Sequence, residues 1–184
     1  LGFNFFKGST RYISPGKAAE ICAQVPAFVA TVGLFVNEPL ADVNRIIGSL
    51  RLGLVQFHGD ETPEYCDSVG HLYMKALRAT NRDQIEVEAQ SFQTAQAILV
   101  DTATDGQFGG TGKTFDWRML PDLAKPVVLA GGLDATNVGA AIAATHPYAV
   151  DVSGGVERSR GVKDVAKMKK FVEAVQSADR SNNE

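Results

Sequence analysis

Asp101 closes the run Ala97-Ile98-Leu99-Val100, four apolar residues with no polar alternation. That pattern reads as a strand buried on both faces. A carboxylate at the C-terminal tip of such a strand, followed by a glycine-rich loop from Asp105 to Thr114, is where parallel α/β proteins place their chemistry. The same residue could equally cap the loop as an Asx turn, and this stretch alone supports both roles. Two later strand ends carry paired glycines, Gly131-Gly132 and Ser153-Gly154-Gly155. Glycine lets the backbone approach a phosphate closely, and N–H groups at a helix start bind it. One glycine pair is an ordinary turn signal; two pairs on consecutive strands point to a phosphate subsite. Gly112-Lys113-Thr114 imitates the end of a P-loop. That reading is rejected, because Gln107 stands where the motif needs glycine and Asp116 is a better helix N-cap than Lys113 is a helix start.

The elements that must position these residues alternate along the chain. Strands are expected at Gly2–Phe6, Phe28–Val36, Leu54–Phe57, Leu72–Leu77, Ala97–Asp101, Val127–Ala130 and Tyr148–Val152. Helices are expected from Pro15 to about Val25, with Ser14 as N-cap, and after Pro39, where Leu40, Val43, Ile46 and Ile47 follow the helical period. Further helices are expected after Thr62-Pro63, from Asn81 to about Gln90, from Asp116 to about Leu120, from Ala135 to Ala144 behind an Asp134 cap, and from Val165 to Val175 behind Asp164. Ser177–Glu184 is polar and expected to fray. Seven strands each followed by a helix imply a parallel sheet with helices outside. Both an open doubly wound sheet and a closed barrel satisfy that alternation. The paired glycines on the last two strands favour a (β/α)8 TIM barrel, whose phosphate subsite sits at the ends of strands seven and eight.

With 184 residues, 45% hydrophobic and 21% charged, and a net charge of −3, the chain is expected to form one domain. The weakly acidic balance gives no reason to expect nucleic acid or an anionic membrane as partner. No apolar run is long enough to span a bilayer, and the first residues lack a signal peptide's basic region. Cys22 and Cys66 have neither metal-ligand spacing nor a disulfide framework, so a reducing, cytoplasmic setting is expected.

Several segments together resemble the phosphoribosylanthranilate isomerases. They are Gly2-Phe3-Asn4-Phe5 with Ser9 to Pro15, Val32-Gly33-Leu34-Phe35-Val36-Asn37, Val55-Gln56-Phe57-His58-Gly59, Leu99-Val100-Asp101-Thr102, Gly109 to Trp117, Leu129 to Leu133 and Ala149 to Glu157. They cover nearly the whole chain, in order. The resemblance implies a (β/α)8 barrel of tryptophan biosynthesis. The implied reaction is an Amadori rearrangement of N-(5′-phosphoribosyl)anthranilate to 1-(2-carboxyphenylamino)-1-deoxyribulose 5-phosphate, with no metal and no cofactor. It implies that Asp101 is the general acid, that Arg11 pairs with the anthranilate carboxylate as a planar guanidinium can, and that Asp151 approaches the sugar hydroxyls. The phosphate would rest on Gly131, Gly132, Ser153, Gly154 and Gly155; Gly154 stands where the family often has a second serine. His58 sits at a strand end, where it could contact substrate, orient its neighbours or, less simply, act as a base. The partner implied is a small phosphosugar, and a monomer is expected, with a dimer left open.

The resemblance departs from the family at the start. The chain opens inside a strand that matches the family's second, so the first strand-helix unit, with its general-base cysteine, is expected to precede Leu1. Cys22 and Cys66 fall on expected outer helices and do not replace it. A catalytically inactive phosphate-binding barrel fragment is therefore the alternative reading. A related barrel of the indole-glycerol-phosphate synthase type would need a lysine acid at a strand end. Here Lys75 lies inside an expected strand, and Asp101 occupies the strand end.

Overall fold

The computed structural model describes residues 1–102 and 116–182. The glycine-rich stretch 105–114, with the rejected P-loop, lies outside the described residues. Nine strands and six α-helices follow in the order β1 (Gly2–Asn4), α1 (Pro15–Cys22), β2 (Val32–Phe35), α2 (Leu40–Leu50), β3 (Leu54–Phe57), α3 (Pro63–Ser68), β4 (Tyr73–Ala79), α4 (Arg82–Ser91), β5 (Ala97–Thr102), β6 (Val127–Leu129), α5 (Val138–Thr145), β7 (Ala149–Val150), β8 (Glu157–Ser159), β9 (Val162–Lys163) and α6 (Val165–Asn182), all among the described residues. Short 3₁₀ turns lie at Trp117–Met119 and Gly154–Val156.

Strands β1 to β7 form one sheet in sequential order. The register is parallel, with Gly2 opposite Val32, Val32 opposite Leu54, Val55 opposite Tyr73, Ile98 opposite Val127 and Val128 opposite Ala149. A doubly wound sheet reverses its strand order at a switch point. No reversal occurs among the described residues, and strands in unbroken sequential order are the connectivity of a barrel.

The chain divides into two compact units. The first comprises Leu1–Ala76 and Ser91–Ala97. Its core holds Phe35, Val43, Val55, Phe57 and Cys66 at 1% exposure or less. Phe5 stacks on Phe35 with centroids 5.3 Å apart, and Phe57 meets Tyr73 at 5.6 Å. Helix α1 starts as expected, the Ser14 hydroxyl accepting from Lys17 N and Pro15 taking the first turn, where no N–H is needed. Thr62 caps α3 in the same way. The second unit comprises Leu77–Gln90 and Ile98–Glu184. Leu129, Leu133, Val138, Ala141, Ile142, Val156 and Phe171 form its apolar cluster, with Trp117 packed against it.

Four expectations need correction, and one element was not anticipated. The strand expected at Phe28–Val36 begins only at Val32, because Val29 N donates to Pro26 O in a turn that leaves Phe28 fully exposed. Helix α1 stops at Cys22 rather than Val25. Asp134 caps a turn and not a helix: its carboxylate accepts from the Thr136 N–H and hydroxyl, and α5 starts at Val138. The C-terminal stretch expected to fray is helical through Asn182. The hairpin of β8 and β9 was not anticipated; Gly161, at φ +82°, makes its reversal. No helix among the described residues is long and apolar enough to cross a membrane.

The two cysteines differ in a way that can be measured. Burial pushes the Cys66 thiol up to about 12, whereas Cys22 is partly exposed. The thiolate is the reactive species. Iodoacetamide at pH 8 is expected to label Cys22 on the folded protein and Cys66 only after denaturant is added. Labelling of both at equal rates before unfolding would contradict the packing of α3.

Candidate active site

In the second unit, Asp101, Ala130, Gly131, Gly132, Asp151 and Ser153 to Gly155 line a recess of about 40 Å³. Strand β5 delivers Asp101 to its C-terminal end, where the side chain is 7% exposed. Its Oδ1 accepts from Thr102 N, the next residue, at 2.7 Å; the Asx turn anticipated for it would use the N–H of position 103, outside the described residues. Gly131 packs directly over that carboxylate. Its φ is +88°, and a Cβ there would lie 2.9 Å from Asp101 Oδ1 and 2.7 Å from Thr102 N. Only glycine accepts both the dihedral and the approach. Gly155 is as constrained, since a Cβ would collide with Leu133 O and reach 2.9 Å from Asp134 Cβ. Among the described residues, the backbone N–H groups of Gly132, Ser153 and Gly154 donate to no acceptor of the chain. N–H groups left without an acceptor on two neighbouring turns that line one recess are suited to an anion.

Two side chains hold these turns in shape. Asn137 accepts from Asp134 N at 2.9 Å and donates to Gly132 O at 2.9 Å, closing the loop after β6. Lys163, on β9, donates to Ser153 O at 2.8 Å and to the buried Glu157 carboxylate at 3.1 Å. Lys167 donates to Glu157 O at 2.7 Å. The hairpin thus braces the Ser153 turn through the Lys163 ammonium, while Lys167, on α6, ties the start of β8. The Thr136 hydroxyl, the largest influence on Asp134, helps to hold that carboxyl below the usual carboxylate range.

In the first unit, Arg11 lies in the loop after β1. Asn4 and Ser9 organise that loop: Phe6 N donates to Asn4 Oδ1 at 2.9 Å, and Arg11 N donates to Ser9 Oγ at 3.1 Å. His58 follows β3 directly. Its N–H donates to Phe35 O at 2.9 Å, and its Nδ1 meets Gln56 Nε2 at 3.0 Å. Beneath it lies a buried ion pair. Lys75 Nζ, on β4, sits 2.9 Å from Glu61 Oε2, with the two side chains 4% and 2% exposed. Lys75 also donates to Gly59 O at 2.6 Å. Glu61 accepts from Gly59 N at 2.9 Å and from Asn37 N at 2.8 Å.

Of the anticipated site residues, the second unit gathers Asp101, Gly131, Gly132, Asp151, Ser153, Gly154 and Gly155 at one recess, while Arg11 and His58 belong to the first unit. Asn137, Lys163, Glu157, Glu61 and Lys75 went unrecognised. The Glu-Arg-Ser-Arg-Gly-Val-Lys stretch, with glycine between short polar runs, carried a hairpin signal. Nothing in the sequence marked Glu61 and Lys75 as a pair. Among the described residues, no cluster of three or more His, Cys, Asp or Glu side chains could hold a metal ion.

Comparison with known proteins adds a second line of evidence. The isomerase from Pseudomonas putida strain F1, named N-(5′-phosphoribosyl)anthranilate isomerase, is 49% identical over 179 residues, which is 97% of this chain and 87% of the relative. The crystal structure of phosphoribosyl anthranilate isomerase from Thermotoga maritima superposes with a TM-score of 0.85 at 37% identity, over 96% of this chain and 87% of that one. A phosphoribosyl anthranilate isomerase in complex with reduced 1-(o-carboxyphenylamino)-1-deoxyribulose 5-phosphate superposes at 0.81 and 34% identity, over 96% and 86%. The fold is therefore the α/β TIM barrel of these enzymes. Residues 1–174 match the family model described as N-(5′phosphoribosyl)anthranilate (PRA) isomerase, and the chain belongs to that family.

Proposed function

We propose that the chain catalyses the Amadori rearrangement of N-(5′-phosphoribosyl)anthranilate to 1-(2-carboxyphenylamino)-1-deoxyribulose 5-phosphate in tryptophan biosynthesis. The observation that carries this reading is the recess where the buried Asp101 carboxylate lies against Gly131, beside turns whose N–H groups at Gly132, Ser153 and Gly154 have no acceptor among the described residues. It combines a proton donor with a phosphate seat, the two things a phosphosugar ring-opening needs. The relative bound to a reduced product analogue supports the same substrate class.

In this reading the phosphate binds to the backbone of Gly132, Ser153 and Gly154, with Gly131 and Gly155 allowing the approach. Asp101, its Oδ1 fixed by Thr102 N, delivers a proton from Oδ2 to the furanose ring oxygen. The bond from C1′ to that oxygen breaks as the anilino nitrogen forms a Schiff base. Loss of the C2′ proton gives an enolamine, which ketonises to product. The reading assigns the acid and assigns no base among the described residues: Cys22 lies on α1, and Cys66 is buried in α3. Arg11 pairs with the anthranilate carboxylate, His58 contacts the substrate, and Asp151 bonds the sugar hydroxyls. The protein acts in the cytoplasm as a monomer; a relative from Thermotoga maritima is described as dimeric.

Three substitutions, made in the full-length protein, test these roles. Asp101→Asn removes the donor and is expected to lower kcat/KM at least about 10²-fold, with unfolding unchanged; near-native turnover would refute the acid assignment. Arg11→Ala is expected to raise KM well beyond its effect on kcat, because the charge contact exists before the transition state. A collapsed kcat at constant KM would reassign that residue. Gly155→Ala must displace Leu133 O and is expected to weaken product-analogue binding about tenfold or more, roughly 1.4 kcal/mol. Gly139→Ala, in α5 with nothing near its Cβ, is the control and should leave affinity as it was.

A further inference from the structure

Lys75 and Glu61 touch nothing that the proposed reaction uses, yet they are the most deeply buried charged pair among the described residues. A buried ion pair is a poor stabiliser, since desolvation offsets much of its attraction and an apolar pair of similar volume often does as well. What it supplies here is direction. Lys75 Nζ reaches Gly59 O at 2.6 Å and lies 3.5 Å from Phe57 O, so it holds the carbonyls on both sides of His58. Glu61 takes Gly59 N on one oxygen and Asn37 N on the other. Asn37, at φ +51°, accepts from Asp60 N at 2.7 Å, and a Cβ on Gly59 would lie 2.9 Å from Asn37 N. The peptide carrying His58 is thereby clamped from both flanks. The 5%-exposed Gln56 then fixes the ring. With the amide oriented as in the structure, Gln56 Nε2 donates to Nδ1, so the neutral ring carries its proton on Nε2.

We propose that Glu61, Lys75 and Gln56 are positioning residues for the isomerase reaction, holding His58 in its Nε2–H tautomer as a hydrogen-bond donor to the substrate rather than as a base. The proposal rests on the placement of His58 as a substrate contact in the reading above. A fixed donor that meets the substrate best when charge develops on oxygen acts on kcat more than on KM.

The test uses two variants of the full-length protein, followed by steady-state kinetics, urea unfolding and ¹⁵N spectra of the imidazoles, with His58→Gln used to assign the His58 signals. Glu61→Leu/Lys75→Met removes both charges together, and Gln56→Leu removes only the ring contact. The wild-type His58 is expected to show the Nε2–H pattern, and both variants an average of the two tautomers. In both, kcat should fall about tenfold or more with KM changed less than about threefold, while the urea midpoint moves little. Should the double variant fail to fold, Gln56→Leu alone decides. A folded variant with unchanged kcat and an unchanged tautomer pattern would overturn the proposal, as would a wild-type ring protonated on Nδ1. If the wild type shows no turnover, the isomerase reading fails by itself, and the ¹⁵N spectra still report whether the clamp sets the tautomer.

Discussion

One ammonium group ties together the strand ends of the first unit. Lys75 Nζ sits among Glu61, Gly59 O and Phe57 O, with the Phe92 ring 5.7 Å away. An ion removed from water this completely costs several kcal/mol unless it is paired and its remaining protons are accepted. The loop from His58 to Glu61 meets that condition in the fold it adopts: the carboxylate must turn inward, the Gly59 carbonyl must face the lysine, and the Asn37 N–H must reach Glu61. Releasing any one contact leaves a charge or a peptide group unsatisfied, so the arrangement tolerates little drift. The same burial that raises the Cys66 thiol reflects how dry this corner is.

The second unit reaches order by other means. Its recess joins two carboxylates to glycine-rich backbone, and what shapes it is the absence of side chains at Gly131 and Gly155 together with side chains that close turns from outside. Asn137 stitches the loop after β6 to itself, and the β8–β9 hairpin props the loop after β7 through Lys163. Backbone donors are fixed once the turn is fixed, so the proposed phosphate seat would need little reorganisation on binding. One unit thus relies on a buried charge to hold a side chain in place, and the other on close-packed glycine to expose peptide N–H groups.

Much of this was legible beforehand, and the reasons differ by residue. Alternation of strands and helices, and the capping of α1 by Ser14 and of α3 by Thr62, are local signals that tertiary context did not override. Asp101 and each glycine pair had an ordinary local explanation as turn residues, and they stood out only in combination, at the ends of successive strands. Phe28 misled because an apolar run says nothing about whether a neighbouring strand exists to pair with it; Pro26 turned the chain instead. Asp134 looked like a helix cap because Asp before an alanine-rich stretch usually is one. Its carboxylate was satisfied sooner, by Thr136. Glu61 and Lys75, on separate elements, form a pair only in three dimensions, and no spacing rule connects them.

The sequential order of the sheet also bears on how the chain acquires its structure. Each strand pairs with the next one along the chain, at separations such as 18 residues for Val55 with Tyr73 and 30 for Gly2 with Val32. Loop-closure entropy grows with separation, so contacts at this range form faster than pairings between distant segments. A polypeptide emerging from the ribosome could therefore zip its strands one after another as they appear. The Lys75–Glu61 contact would close only once β4 had followed α3 into solution. The first unit also takes Ser91–Ala97, so its last contacts would close only after β4 and α4 had followed and the chain had returned to it.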